Sequence, residues 1–192
     1  MTALPPLIVK KNFFTLNVGW KINTIIFPHL AVKKSGTTRD LWINLGGSKM
    51  LDCLIIGDSI AVGTKQFRPD CVAFAKGGIN SWQWNNMYVS GDKGALPASE
   101  VAIISLGSND HKGVKTREEI AKARLAVQAK RVYWILPHGN NTASGVDIKN
   151  IQAMVNEVAQ GFGDIVLPIT RVQTDNIHPS WAGYKELAEK TK

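Results

Sequence analysis

Four turns of this chain carry the residue types that acyl transfer needs. Ser59 closes Gly57-Asp58-Ser59, and Gly77 and Gly78 lie in Lys76-Gly77-Gly78-Ile79-Asn80. Asn109 belongs to Gly107-Ser108-Asn109-Asp110, and Asp175 precedes His178 by three residues in Asp175-Asn176-Ile177-His178. A serine hydroxyl is a weak nucleophile and needs a base. A neutral imidazole, with an unperturbed pKa of ~6.5, can take that proton and return it to the leaving group. A carboxylate partner fixes the imidazole tautomer and stabilises the imidazolium. The tetrahedral oxyanion needs aimed donors, and removing one costs roughly 2.7–4 kcal/mol of barrier. The backbone N–H groups of Ser59 and Gly78 and the Asn109 amide are three candidates, with Gly77 competing for the share of its turn. Each residue also has a plainer reading. Ser59 could simply cap a helix, Asn109 could be a turn residue, and His178 could be a loop histidine in solvent.

The elements around these turns must bring them together. Residues 51–56 form a short apolar run ended by glycine, which reads as a buried parallel strand. A helix follows Ser59, so Ser59 stands at a strand end and a helix N-terminus, where a negative charge is welcome. Further strands are predicted at 71–75, 101–106, 132–136 and 165–169. Short helices follow Ser59 and start at Ser81. Thr116 and Glu119 read as a capping box opening a helix to about residue 130. Residues 147–161 place Ile148, Ile151, Val155 and Val158 on one helical face. A last helix runs from Trp181 to about Lys190. Strands alternating with helices predict a right-handed, doubly wound parallel sheet. The turns after the first, second, third and fifth strands then converge on one edge.

With these four blocks in this order, residues 51 to about 190 resemble the SGNH, or GDSL-type, hydrolases, a family named for blocks carrying Ser, Gly, Asn and His. The resemblance implies an α/β fold: a three-layer α/β/α sandwich with a doubly wound five-stranded parallel sheet of flavodoxin-like type. It implies Ser59 as nucleophile, His178 as base and Asp175 as its orienter, with an oxyanion hole from Ser59, Gly78 and Asn109. Asp58 would be structural, hydrogen-bonding across the turns. The G-x-S-x-G elbow of α/β-hydrolases is absent. The implied activity is serine-dependent hydrolysis of carboxylic esters with a short acyl group, including O-acetyl groups on a glycan, with no metal or organic cofactor. Thioesterase or lysophospholipase chemistry is the alternative, and so is a non-catalytic carbohydrate- or nucleotide-binding module that kept the cleft. Trp82, Trp84 and Trp181 flank the blocks and could bind substrate or pack helices on the sheet. His111 and His138 follow strand ends and read more readily as solvated loop residues. His29 receives no role.

The chain has 192 residues, enough for one domain with a substantial core. At 44% hydrophobic and 20% charged residues it falls in the soluble globular class, and no apolar run approaches the roughly 20 residues of a membrane span. The formal charge of +8 is carried mostly by residues 1–49, with seven Lys or Arg and one acid. The remainder is close to balance, which argues against nucleic acid as the partner of residues 50–192. Residues 1–49 show no sustained pattern, and three readings stay open. They could be an arm packed on the domain, a basic arm for an anionic surface, or no part of the natural protein. For the last, Gly46-Gly47-Ser48-Lys49-Met50 could be encoded by a ribosome-binding sequence ahead of a start codon at Met50. No secretory signal is evident, so a cytoplasmic location is expected, with Cys53 and Cys71 as buried reduced thiols. The histidines show no metal-ligand spacing with these cysteines. The substrate is expected to be a small molecule or a glycan ester. The sequence does not give an oligomeric state.

Overall fold

A computed structural model of the chain describes residues 50–90 and 95–192. The expectations for residues 1–49 lie outside the described residues, as do residues 91–94. The elements are β1 (Leu51–Gly57), α1 (Ser59–Phe67), β2 (Cys71–Ala75), α2 (Ser81–Tyr88), β3 (Ser99–Ser105), α3 (Thr116–Leu125), β4 (Ala129–Ile135), α4 (Ile148–Phe162), β5 (Ile165–Leu167) and α5 (Trp181–Lys190). The five strands form one sheet in the order β2-β1-β3-β4-β5, and every neighbouring pair is parallel. This is the doubly wound order in which the chain reverses direction between β1 and β3, opening a crevice at their carboxyl ends.

Each central strand feeds two cores. Leu54, Ile56, Ala102, Ile104 and Trp134 point into one cluster, shared with Trp84 of α2, Ile120 of α3 and Ile151 and Val155 of α4. Cys53, Ile55, Ile103, Tyr133 and Ile135 point the other way, onto Ile60 of α1 and Tyr184 and Leu187 of α5. Fully burying such a side chain is worth about 1.5–3 kcal/mol. The face predicted for α4 is present with one change: Ala159 is fully buried, while Val158 is only half-buried.

The packing of α5 on α1 sets the position of the turn that precedes α5. Gly63 has no side chain, and a Cβ there would lie 2.3 Å from the Tyr184 ring, so the ring rests directly on α1. Phe67 meets the Trp181 ring edge-on at 4.5 Å and stacks with Tyr184 at 6.0 Å. Arg68 Nη1 donates to Thr191 Oγ1 at 2.8 Å, joining the two helices at their far ends.

Three local expectations are corrected. α3 ends at Leu125 and β4 begins at Ala129, not near 130 and at 132. Ala126, Gln128 and Ala129 favour helix locally, but Ser99 pairs with Ala129 and donates its N–H to Gln128 O at 2.9 Å, so the sheet overrides propensity. The capping box at Thr116 does not form. Lys115 is the N-cap without a side-chain bond, and the Glu119 carboxylate instead accepts from Asn85 Nδ2 at 2.6 Å.

The cysteines are the third correction: Cys53 and Cys71 are joined in a disulfide. The β1–β2 register sets them directly opposite, on the same face, with Cα atoms 4.2 Å apart. Pattern reading places each in a strand but does not give the register. Their sequence separation is 18, and closing a loop of this size stabilises by about 3 kcal/mol through the unfolded chain. Dithiothreitol should therefore lower the thermal midpoint by several degrees in a scanning experiment. An unchanged midpoint, with two free thiols titrating before reduction, would show that the bond does not form in solution.

Candidate active site

Ser59 is placed by the two residues before it. Gly57 has φ +138°, and a Cβ there would fall 1.8 Å from Ser105 O, so only glycine lets β1 turn this tightly against β3. Asp58, not Ser59, caps α1: its Oδ1 accepts from Ile60 N at 3.0 Å and from Ser105 Oγ at 3.2 Å. Asp58 is wholly buried, and that burial pushes its carboxyl up to about 6 against the hydrogen bonds that pull it down. Its work is structural, as expected, and it leaves the Ser59 hydroxyl available. Ser59 Oγ lies 2.8 Å from His178 Nε2, across 119 residues of chain.

His178 is held in turn by Asp175. Asp175 Oδ2 is 2.7 Å from His178 Nδ1, and its Oδ1 accepts from the N–H groups of Ile177 (2.9 Å) and His178 (3.0 Å). The Ile177 N–H, then the His178 ring and the His178 N–H, hold the Asp175 carboxyl down at about 2. An ionised carboxylate can only accept, so Nδ1 carries the proton and Nε2 is left to accept from Ser59. The segment closes on itself through Gln173 N to His178 O at 2.8 Å and a bridge between Val172 and Pro179.

The glycine and asparagine turns are bonded into the same edge. Lys76 N donates to Gly57 O at 3.0 Å, tying the turn after β2 to the turn after β1. Asn109 Nδ2 donates to Ile79 O at 3.1 Å, which uses one of its two amide hydrogens and leaves the other. Among the described residues the N–H groups of Ser59 and Gly78 donate to no protein atom. Gly78 has φ +73°, and nothing lies within 4 Å of where its Cβ would be. The same holds for the space beside Gly77, whose N–H likewise donates to no protein atom among the described residues, so the turn offers two candidate donors.

Two features here were missed in the sequence. Asp110 is fully buried and accepts from Ser81 N at 2.8 Å and Ser81 Oγ at 2.6 Å, clamping the start of α2 to the loop after β3. Asn80 and Gln83 make the reciprocal capping box that begins α2. The signal for the second was present: Asn80 followed three residues later by Gln83 is a cap pattern. Nothing in the sequence marks the long-range Asp110 clamp.

No family model and no curated protein matches the chain. Solved structures do. A lipase/acylhydrolase from Enterococcus faecalis matches 72% of this chain and 92% of its own, with TM-score 0.53 and 18% identity. An acetylxylan esterase from Geobacillus stearothermophilus matches 74% and 92%, with TM-score 0.51 and 19% identity. A protein assigned to the G-D-S-L family, from Desulfitobacterium hafniense, matches 72% and 96%, with TM-score 0.50 and 17% identity. This chain has the SGNH hydrolase fold.

On that fold a groove of about 570 Å³ opens beside the Gly77–Gly78 turn, lined by Gly78, Ile79, Trp82, Gln83, Asn86 and Met87 among others. Trp82 is 53% exposed and lines this groove. Trp181 does not line it; it is 73% exposed, and its ring meets Phe67 edge-on. Trp84 is fully buried in the core, with Nε1 donating to Phe74 O at 2.7 Å, so it is a packing residue. His111 is exposed and accepts from Gly113 N at 3.1 Å. Among the described residues one group could offer three metal ligands, Cys53, Cys71 and Asp70. Its two sulfurs are bonded to each other at the start of β2. No helix among the described residues is long and apolar enough to cross a membrane.

Proposed function

We propose that this chain is a serine hydrolase of the SGNH family that cleaves carboxylic esters with a short acyl group. The observation that carries this reading is the linear relay Ser59 Oγ–His178 Nε2 and His178 Nδ1–Asp175 Oδ2, at 2.8 and 2.7 Å. Ser59 Oγ attacks the ester carbonyl carbon while its proton passes to His178 Nε2. The carbonyl oxygen becomes the oxyanion, held by the N–H groups of Ser59 and Gly78 and the free amide hydrogen of Asn109. Asp175 stabilises the imidazolium. Collapse expels the alcohol, which takes the proton from Nε2 and leaves an acyl-Ser59 ester. Water then attacks that ester, with His178 again accepting a proton. The acid leaves and Ser59 is restored.

The groove supports a saccharide as the alcohol. Lys76, Gln83 and Asn86 place polar groups beside Ile79, Trp82 and Met87, and an exposed indole can stack on a sugar face. One structurally similar protein is an acetylxylan esterase. Hydrolysis of p-nitrophenyl esters of increasing length tests the acyl preference, and rates should fall from acetate to octanoate.

Stacking between two aromatic rings contributes about 0.5–1.5 kcal/mol, and a sugar face on an indole is taken as similar in scale. Trp82→Ala should therefore raise KM for an acetylated xylooligosaccharide about two- to tenfold, with p-nitrophenyl acetate kinetics unchanged. Equal effects on both substrates would remove Trp82 from saccharide recognition.

A further inference from the structure

The turn that carries Asp175 and His178, besides its own internal bonds, leans on a second loop. Asn176 has φ 57°, the one non-glycine residue with positive φ among the described residues. Asparagine adopts this left-handed conformation in turns more readily than other non-glycine residues. What surrounds it is the loop between β4 and α4. His138 Nδ1 lies 3.0 Å from Asn176 O. A carbonyl only accepts, so His138 donates from a protonated Nδ1. Next to it, a Cβ on Gly139 would come within 3.1 Å of Asn176 O and 3.7 Å of Ile177 Cγ1, so the two backbones are in close contact.

The β4–α4 loop is itself firmly anchored. Gln152 Nε2 donates to Pro137 O at 2.7 Å, and Ile148 N donates to Asn140 O at 3.0 Å. Asn141 and Asp147 form a bridge across its base. The loop is therefore a fixed support, and its one side-chain bond to the Asp175–His178 turn comes from His138.

We infer that His138 is a positioning residue for the reaction. By holding the Asn176 carbonyl it keeps the Ile177 and His178 N–H groups on Asp175, and so keeps His178 Nε2 in reach of Ser59. This rests on the reading of Ser59, His178 and Asp175 as the reacting groups. Small misplacements of such groups cost up to about a hundredfold in rate.

The test uses the full chain, as His138→Ala and His138→Asn. The Asn side-chain nitrogen falls close to the place of imidazole Nδ1 and can donate to the same carbonyl. His138→Ala should lower kcat for p-nitrophenyl acetate about ten- to a hundredfold with KM unchanged, and His138→Asn should recover most of the loss. Independently of turnover, amide hydrogen exchange at Ile177 and His178 should quicken in His138→Ala and return towards wild type in His138→Asn. Unchanged exchange at both amides in His138→Ala would overturn the inference. So would equal loss of kcat in the Ala and Asn variants. If wild type lacks esterase activity while exchange still quickens in His138→Ala, the support role stands and the hydrolase reading fails.

Discussion

Ser59→Ala is expected to abolish ester turnover and leave the protein folded. In a well-characterised serine hydrolase the loss of nucleophile or base costs on the order of 10⁶ in kcat, and an effect of that scale is expected here. The fold should tolerate the change because Asp58, not Ser59, caps α1. Ser59 contributes only its bond to His178, so the thermal midpoint should move little, within the roughly 0.5 kcal/mol usual for such positions. His178→Ala should fall almost as far. The double variant should fall no further, because the two act on one proton and their effects do not add. Steady-state kinetics on p-nitrophenyl acetate, beside circular dichroism and a melting scan, checks all three. Comparable turnover by Ser59→Ala and wild type would exclude the proposed mechanism.

Asn109→Ala carries the second-largest expected effect. The Asn109 amide has two hydrogens, and Ile79 O takes one. The other is free for the oxyanion, a charge present only after attack. Its loss should therefore lower kcat by about 10²–10³-fold while KM stays near its original value. The lost bond to Ile79 O could also loosen the turn that presents Gly78. The kinetics separate these effects. A rise in KM that matches the fall in kcat/KM, with kcat preserved, would mean that Asn109 shapes the binding groove and does not stabilise the transition state.

The sheet was legible in the sequence because its strands are short apolar runs closed by glycine or polar turns. Buried on both faces, β1 and β3 admit few other residues, and the strand–helix alternation leaves one plausible winding. Ser59 and Asn109 follow β1 and β3 closely, as that pattern implies, whereas Asp175 and His178 lie well past the end of β5, just ahead of α5. What was not legible depends on partners distant in sequence. The start of β4 is set by pairing with Ser99, and local propensity there favours helix. Glu119 resembled a capping residue because its real partner, Asn85, comes from another helix. The disulfide depends on a register that places Cys53 opposite Cys71. Trp82 and Trp84 look alike in sequence, yet two residues of helix turn one to the groove and the other into the core. Asp110 was passed over because a buried carboxylate serving a neighbouring helix N-terminus has no local signature.

The central claim is that Ser59 is a nucleophile activated by His178. Labelling with an alkyl fluorophosphonate tests it without knowledge of the natural ester, since the serine oxygen displaces fluoride from phosphorus and the adduct is stable. Wild-type protein should gain the mass of one phosphonyl group, mapped by peptide sequencing to Ser59, with no adduct on Ser59→Ala and very slow labelling of His178→Ala. A folded wild-type protein that stays unlabelled, or that is labelled elsewhere while Ser59 remains free, would contradict the account.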